Sequence, residues 1–381
     1  MKKDIPLEAI RGVAALVVVV WHVCYGFIPS ATGVDAQLAG QSWQGSPLFI
    51  FMNGPAAVAL FFVLSGYVLS RRYLGSGNNR ILLKGCVKRW PRLMGPVVLV
   101  VLASYVLFKL DLYRFEQAGM KSGSQWLIQF AYAFDNKPPI LLWDALRQGA
   151  FLTFFRGDFY YDSALWTMHP EFIGSFIAFG FAPILFEAKK SSSFLTIGLI
   201  VVAALLAHYT NAKLLAFPIG VGLAALVPRG AIIPTRFTYP GLLMALYLLG
   251  FSGATTGIYS VFSRYIAAHS NEINVVGAAM LIVVVETCAS IRNALSGPAS
   301  RFLGDLSFPI YLVHVLVICS LGSVIYLWAG AFPAALAAFI MSILVSLPLI
   351  AFNNWWTDHV NSATDSVIRE QPAGSVFPAR R

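Results

Sequence analysis

An arginine and a histidine within the first apolar segment are the residues of this sequence best suited to chemistry. Arg11 and His22 are eleven positions apart, which on an α-helix corresponds to three turns plus about 20° and a rise of roughly 16 Å. Both side chains would therefore lie on one helix face. In one interpretation, Arg11 contacts lipid headgroups and His22 makes an interfacial hydrogen bond. In the other, Arg11 is a phosphate anchor and His22 is a base deep in a channel.

A second group of candidate residues lies at the start of a later apolar segment, in Trp166-Thr167-Met168-His169-Pro170-Glu171. Pro170 suits the first helical position, and the helix dipole favours the Glu171 carboxylate in the first turn. His169 would lie at about the depth of His22. Two imidazoles and a carboxylate at similar depth could perform general acid–base chemistry near neutral pH. A packed hydrogen-bonded cluster without a catalytic role is the alternative.

Two further polar positions lie inside apolar segments. His314, three residues after Tyr311, falls several residues into a later span, which predicts either a satisfied core histidine or a catalytic group. Ser65 lacks the GxSxG context of a nucleophile elbow, and helix packing is its favoured interpretation. The four cysteines show neither CxxC nor Cys/His spacing, so neither a disulfide framework nor a metal site is expected.

Membrane helices must position these side chains. Of 381 residues, 58% are hydrophobic and 12% charged, about half of the roughly 25% charged that is usual in soluble proteins. This composition predicts an all-α integral membrane protein, and it excludes a soluble globular fold. A helix needs about 20 apolar residues to cross the membrane. By this criterion the chain is predicted to have about ten spans, near 10–28, 48–69, 93–109, 170–187, 194–210, 212–227, 239–257, 273–290, 308–329 and 331–352.

The distribution of Lys and Arg predicts the orientation. Segment 70–92 carries seven of them and no acid, whereas segment 29–47 carries none, so the first is expected to be cytoplasmic and both termini with it. The net charge of +10 then indicates cytoplasmic loops and anionic lipid rather than nucleic acid. The membrane domain would cover residues 1–352, with an outer loop at about 110–169 and a cytoplasmic tail at 353–381.

Five motifs, in order along the chain, resemble those of a known family. They are the Arg11 and His22 pair and segments 61–67, 88–93, 165–171 and 306–314. Together they resemble the membrane-bound acyltransferase 3 family from about residue 4 to about 350. The resemblance implies a ten-helix enzyme of the cell membrane, of the bacterial inner-membrane type. Such an enzyme moves an acyl group, usually acetyl from acetyl-CoA, to a hydroxyl of a sugar, lipid or other acceptor, often in the cell envelope.

The resemblance and the residues together predict a mechanism without a permanently bound cofactor. Acyl-CoA would enter a cytoplasmic basic mouth, with Arg11 as its innermost charge. His22 would be the general base or a transient acyl carrier, and Glu171, with or without His169, would orient it or handle a proton on the acceptor side. Trp166 would stack on a sugar or belong to an interface belt. The residues expected to line the basic mouth are Arg71, Arg72, Lys84, Lys88, Arg89 and Arg92.

Other interpretations stay open at this point. Common family members have a Ser-x-Glu-type sequence where this chain has Met168-His169-Pro170-Glu171, so His169 is either a subfamily trait or a catalytic group. No further domain is expected after residue 352, so the product leaves from the protein's own pocket or a separate extracytoplasmic partner acts next. The alternative from another class is a carrier in which His22, His169, Glu171 and His314 relay protons or bind substrate. A catalytically silent scaffold is the third.

Overall fold

The chain is helical throughout the part that the structure describes, as an apolar chain in lipid must be, because a helix satisfies its own backbone hydrogen bonds. The computed structural model describes residues 4–34, 42–130, 140–228 and 230–369, and no strand occurs in these ranges. The principal helices are α1 (Ile5–Phe27), α2 (Gly54–Ser76), α3 (Asn79–Lys109), α4 (142–155), α5 (Met168–Ser191), α6 (Ser193–Thr210), α7 (Ala216–Leu226), α8 (Thr235–Leu249), α9 (Ser270–Thr287), α10 (Pro298–Ala329) and α11 (Ala331–Arg369). Short helices connect them at Pro29–Thr32, Pro47–Met52, Phe115–Ser122, Gln125–Ile128, Ser163–Thr167, Ala212–Leu215, Gly257–Tyr259, Arg264–Ala267 and Ala289–Ala294.

Eight helices in the described ranges are long and apolar enough to cross a membrane, namely α1, α2, α3, α5, α6, α9, α10 and α11. The predicted class, an all-α multi-pass membrane protein, is therefore confirmed. The predicted count was about ten. The difference arises at α7, which has 11 residues, and α8, which has 15, because both are shorter than the ~20 residues of a full span.

Contacts between helix ends define the two ends of the bundle. Asp4, just before α1, forms an ion pair with Arg71 near the end of α2, and Lys84 lies in the first turns of α3. We call this the basic end. At the opposite end, the hydroxyl of Ser124 donates a hydrogen bond of 2.6 Å to the carbonyl of Tyr25 near the end of α1. We call this the loop end, because the segment between α3 and α5 contributes to it.

The predicted outer loop, 110–169, contains a helix that packs along the middle of α3. The indole N–H of Trp90 donates a hydrogen bond of 2.9 Å to the carbonyl of Ala150 in α4. A Cβ placed on Gly149 would lie 2.9 Å from the backbone of Val98, so the two helices are in close contact. Residues 148–152 of α4 form a π-helical turn. Much of this segment is therefore packed helix, which its mixed charge did not indicate. Residues 131–139 of the predicted loop lie outside the described residues.

The predicted tail also begins inside a helix. α11 continues past residue 352 to Arg369, and the indole N–H of Trp356 donates a hydrogen bond of 2.8 Å to the carbonyl of Pro91 in α3. The first half of the predicted tail therefore packs against the bundle. Residues 370–381 lie outside the described part of the chain.

Small residues bring the central helices together. A Cβ added to Gly12 would lie 2.3 Å from the carbonyl oxygen of Leu303 in α10, and one added to Gly66 would lie 2.4 Å from that of Phe217 in α7. Close approach of backbones is a general route to helix association in lipid. The glycine at position 12 thereby places the face of α1 that carries Arg11 against α10.

Candidate active site

Two histidines from distant parts of the chain meet in the interior. Nε2 of His314, in α10, lies 3.0 Å from Nδ1 of His22, in α1, and their ring centroids are 4.8 Å apart. His314 is completely buried. The indole of Trp126 also packs against the His22 ring, with centroids 5.2 Å apart. The His22 imidazole thus contacts two aromatic rings from other parts of the chain.

The backbone carbonyls around this pair assign its protons. Nδ1 of His314 faces the carbonyl oxygens of Ile310 and Tyr311, at 3.2 and 2.8 Å, so it must carry a hydrogen. In a neutral imidazole the other nitrogen then has the lone pair, and Nε2 of His314 accepts a hydrogen bond from His22. Nδ1 of His22 also donates to the carbonyl of Val18 at 2.9 Å. Neutral His22 therefore has its lone pair on Nε2, the nitrogen suited to act as a base.

His22 lines a cavity of about 290 Å³ near the loop end. Most of its wall is apolar and comes from α1 and α2. Besides His22, its polar groups are the indoles of Trp21 and Trp166 and the side chains of Lys213, Asn271 and Tyr311. A small cavity with an apolar wall and a few convergent polar groups is the usual form of a ligand site.

Arg11 and His22 are both held by α10. The Nε–H of Arg11 donates a hydrogen bond of 3.0 Å to the hydroxyl of Ser307, and a guanidinium nitrogen lies 2.5 Å from the carboxylate of Glu8. The motif at 306–314 therefore positions both members of the α1 pair, one through Ser307 and one through His314. About a third of the Arg11 side chain remains exposed, which leaves it accessible to an anion.

The second predicted cluster forms a buried ion pair. The Glu171 carboxylate contacts the guanidinium of Arg89 and accepts a hydrogen bond of 2.5 Å from the hydroxyl of Ser65. Arg89 also donates a hydrogen bond of 2.6 Å to the hydroxyl of Ser175. The network joins α2, α3 and α5. Ser65 is thus a hydrogen-bonding residue between helices, in line with its predicted packing role.

His169 lies apart from the His22 cavity. Its Nδ1 donates a hydrogen bond of 2.7 Å to the carbonyl of Phe154 at the end of α4. Neither His169 nor Glu171 is among the residues that line the cavity. The helix α5 begins at Met168 rather than at Pro170, so His169 belongs to its first turn. A direct role of these two side chains at His22 stays a prediction, and their described contacts are structural.

Tyr311 and Trp166 do line the cavity, and a buried turn positions them. The hydroxyl of Tyr311 lies 2.9 Å from that of Thr167, next to Trp166. Asp162 caps this turn, since its Oδ1 accepts a hydrogen bond of 2.9 Å from the amide of Ala164. Its other oxygen is buried and has no hydrogen-bond partner. Burial raises the pKa of Asp162 to about 8.

The residues of the predicted basic mouth differ in their surroundings. Arg71 makes hydrogen bonds of 2.8 to 2.9 Å with the carboxylates of Asp4 and Glu286, and Arg292 contacts the same two acids. These four side chains balance in charge and join α1, α2, α9 and the helix after α9. These contacts give Arg71 a structural role between helices, and its predicted role in donor binding stays a prediction.

The other cations form a path from the surface inward. Arg72 is exposed, and Lys88 donates to the side chain of Asn361 at 3.3 Å. Lys84 pairs with Asp365. Arg92 lies within electrostatic range of Arg11, Arg89, Glu8 and Glu171. Among the described residues, Arg92 has neither a hydrogen bond nor an ion pair, so it is the cation on this path most available to an added anion. The residues that form the path are Arg72, Lys84, Lys88, Arg92 and Arg11.

A comparison with protein families assigns most of the chain to one family. The family model described as an acyltransferase domain, that of the acyltransferase 3 family, matches residues 5–351. The chain belongs to the acyltransferase 3 family. The resemblance of its motifs is thereby confirmed, and this membrane protein is an acyltransferase by family. Searches of curated proteins and of solved structures each return no match.

Sequence patterns left several contacts of this acyltransferase unrecognised. Trp126 and Lys213 approach His22 and its cavity, yet Trp126 belongs to the predicted outer loop and Lys213 to the start of the predicted span 212–227. Ser307 was noted only as part of a motif. A polar residue inside an apolar span marks a candidate site, but its partner is a second such residue on another helix, and spacing along one helix carries no information on that pairing.

Proposed function

We propose that this chain transfers an acyl group, expected to be acetyl, from acyl-CoA to a hydroxyl of a cell-envelope carbohydrate, lipid or related acceptor. The observation that carries the proposal is His22, which lines a cavity and whose Nδ1–H is engaged by His314 and Val18, so that the lone pair is on Nε2. A base in this state is what removal of a proton from a hydroxyl requires.

The donor would enter from the basic end. The phosphates of acyl-CoA are anionic, and Arg92 and Arg11 are the inner members of the basic path. Basic residues along such a path raise the local concentration of an anionic substrate. From Arg11 to His22 the rise along α1 is roughly 16 Å, so a long flexible donor could keep its phosphates at Arg11 and place its thioester at the cavity.

The transfer step balances with His22 as the only acid–base group. Nε2 takes the proton of the acceptor hydroxyl, and the oxygen forms a bond to the thioester carbonyl carbon. The carbon–sulfur bond then breaks, and the leaving thiolate receives the proton from the His22 imidazolium. The products are an ester and free CoA. In the alternative, Nε2 attacks the thioester first and carries the acyl group, a route that would leave label on the protein.

Glu171 is assigned a positioning role in this proposal. Its carboxylate is held by Arg89 and Ser65, which fixes α5 relative to α2 and α3. The turn that carries Trp166 and the first residues of α5 are continuous, so this network sets the position of the acceptor side of the cavity. The carrier alternative is not favoured, because the family is one of acyltransferases and His169 makes no described contact with His22.

The test uses the full chain in lipid vesicles with radiolabelled acetyl-CoA and envelope extract as acceptor. We expect the wild type to consume thioester and His22→Ala to lose about 10²- to 10⁴-fold in rate. Arg92→Gln should mainly raise the donor KM, by about tenfold or more, as expected for loss of a charged contact. Arg80→Gln, at the exposed start of the same helix, is the matched control and should leave both constants unchanged. A folded wild type that neither binds nor consumes acetyl-CoA would refute the proposal.

A further inference from the structure

A second cavity, an apolar groove of about 450 Å³, opens between α7 and α8 with α9 as its floor. Its volume falls within the ~300–1,000 Å³ of typical ligand sites. The lining residues recur at helical spacing, as Leu215, at the end of the short helix before α7, and Ile219 and Leu223 on α7 do. The groove therefore has walls from all three helices.

The groove adjoins the His22 cavity. Val275, in α9, lines both of them. Leu215 lines the groove and its neighbour Ala216 lines the cavity. A molecule in the groove therefore ends beside the cavity that holds the candidate base.

The dimensions of the groove indicate what could fill it. It follows α9 from Glu272 at the loop end to Thr287 at the basic end. These residues are separated by fifteen positions, which corresponds to a rise of about 22 Å along the helix axis. One leaflet of a bilayer contributes only about half of the ~30 Å hydrocarbon core. A chain that fills the groove is therefore longer than one leaflet is deep, and a single long hydrocarbon chain fits this better than the two chains of an ordinary phospholipid.

A cationic side chain lies in the adjoining cavity, near the loop end of the groove. Lys213 lines the His22 cavity, with its Nζ 3.7 Å from the centre of the Trp166 ring. Among the described residues, Lys213 forms no ion pair. The nearby Glu272 carboxylate lies 3.1 Å from the imidazole of His208 and so has a partner of its own. An unpaired ammonium group at a lipid-facing entrance is suited to a phosphate.

We propose that the acceptor is a lipid with one long hydrocarbon chain joined through a phosphate to a hydroxyl-bearing headgroup, the chain lying in the α7–α8–α9 groove and the phosphate at Lys213. This inference rests on the proposed function, because the headgroup hydroxyl is placed at His22. A lipid that enters from the loop end has its headgroup at the membrane surface and its chain directed toward the bilayer centre, which is the direction in which the groove runs.

The glycine at position 241 offers a direct test. A Cβ added there would have only one neighbour within 4 Å, a methyl group of Val284 at 3.5 Å, and Gly241 lines the groove. Gly241→Leu should therefore fill the groove without displacing a helix. Gly198→Leu is the matched control, since nothing lies within 4 Å of that position on α6.

The experiment measures binding of radiolabelled long-chain polyprenyl phosphate to the full chain in phosphatidylcholine nanodiscs. We expect one saturable site. Gly241→Leu and Lys213→Gln should each weaken binding about tenfold or more, and for Lys213→Gln this is the loss typical of a hydrogen bond to a charged group. Gly198→Leu should leave binding unchanged. Polyprenol without phosphate, and a hexose phosphate without lipid, should each bind at least about tenfold more weakly.

Each contrary result has a defined meaning. Absence of saturable binding, or equal binding by the groove variant and its control, would overturn the lipid acceptor. Equal binding of the hexose phosphate would indicate a water-soluble acceptor, and equal competition by phosphatidylglycerol would overturn the single long chain. Consumption of acetyl-CoA is measured separately with the wild type and His22→Ala. If lipid binding is absent but acetyl-CoA is consumed, only the lipid acceptor is refuted. If acetyl-CoA is not consumed, the proposed transfer reaction is refuted.

Discussion

His314 should act on catalysis only through the orientation of His22, and the structure sets the size of its effect. The Nδ1–H of His22 is shared between Val18, at 2.9 Å, and His314, at 3.0 Å. When His314 is replaced by leucine, the Val18 carbonyl still holds the hydrogen and the lone pair stays on Nε2. The loss is then that of one neutral hydrogen bond, about 0.5–1.5 kcal/mol, or about 2- to 13-fold in rate.

The assay is single-turnover transfer from labelled acetyl-CoA by three variants in the same vesicles. His314→Leu should lose only this modest factor, and His314→Gln should recover part of it, because a glutamine oxygen can accept the hydrogen bond. His22→Ala should lose about 10²- to 10⁴-fold. If His314→Leu, folded as judged by its melting temperature, were as inactive as His22→Ala, His314 would itself exchange a proton with the substrate. The assignment of hydrogens in the pair would then be wrong.

Three further changes test the structural roles. Arg71→Gln should lower the free energy of unfolding by about 1–3 kcal/mol, because it leaves a buried carboxylate short of a charged partner, and should not change the donor KM; a raised KM at unchanged melting temperature would return Arg71 to donor binding. Because the pKa of Asp162 is raised to about 8, its neutral form stabilises the fold fully below pH about 4 and progressively less up to pH about 8. The melting temperature should therefore fall between pH 5 and 8, and Asp162→Asn, which keeps the cap on Ala164, should remove that fall; parallel curves would contradict the assignment. Gly66→Ala, whose new Cβ would lie 2.4 Å from a carbonyl oxygen of α7, should cost about 1–3 kcal/mol, whereas Gly198→Ala should not, as measured by thermal unfolding.

Several features of the site were predictable from one helix at a time. The spacing of Arg11 and His22 predicts a common face, and both side chains contact the same helix, α10. Motif order along the chain also predicted the family. These inferences succeed because helical periodicity and the cost of polar groups in lipid are local properties, and each can be read from a single segment.

The sequence did not indicate which acids pair with the arginines of the predicted donor mouth. Arg71 and Arg89 were both assigned to the donor mouth, yet Arg71 pairs with Glu286 and Arg89 with Glu171. Each pair joins different helices. A buried arginine needs an acid beside it, but the sequence does not say which of several acids on other helices that will be.

The sequence alone determined that the chain is a helical membrane protein, that its first helix carries a cation and a base on one face, and that its motifs are those of one acyltransferase family. Only the tertiary structure decided which nitrogen of His22 is free, because its partner His314 is 292 positions away. The tertiary structure also decided which cations remain available and where a groove meets the cavity. Hydropathy and periodicity act within one segment, whereas hydrogen bonds, ion pairs and cavities depend on which helix faces pack together.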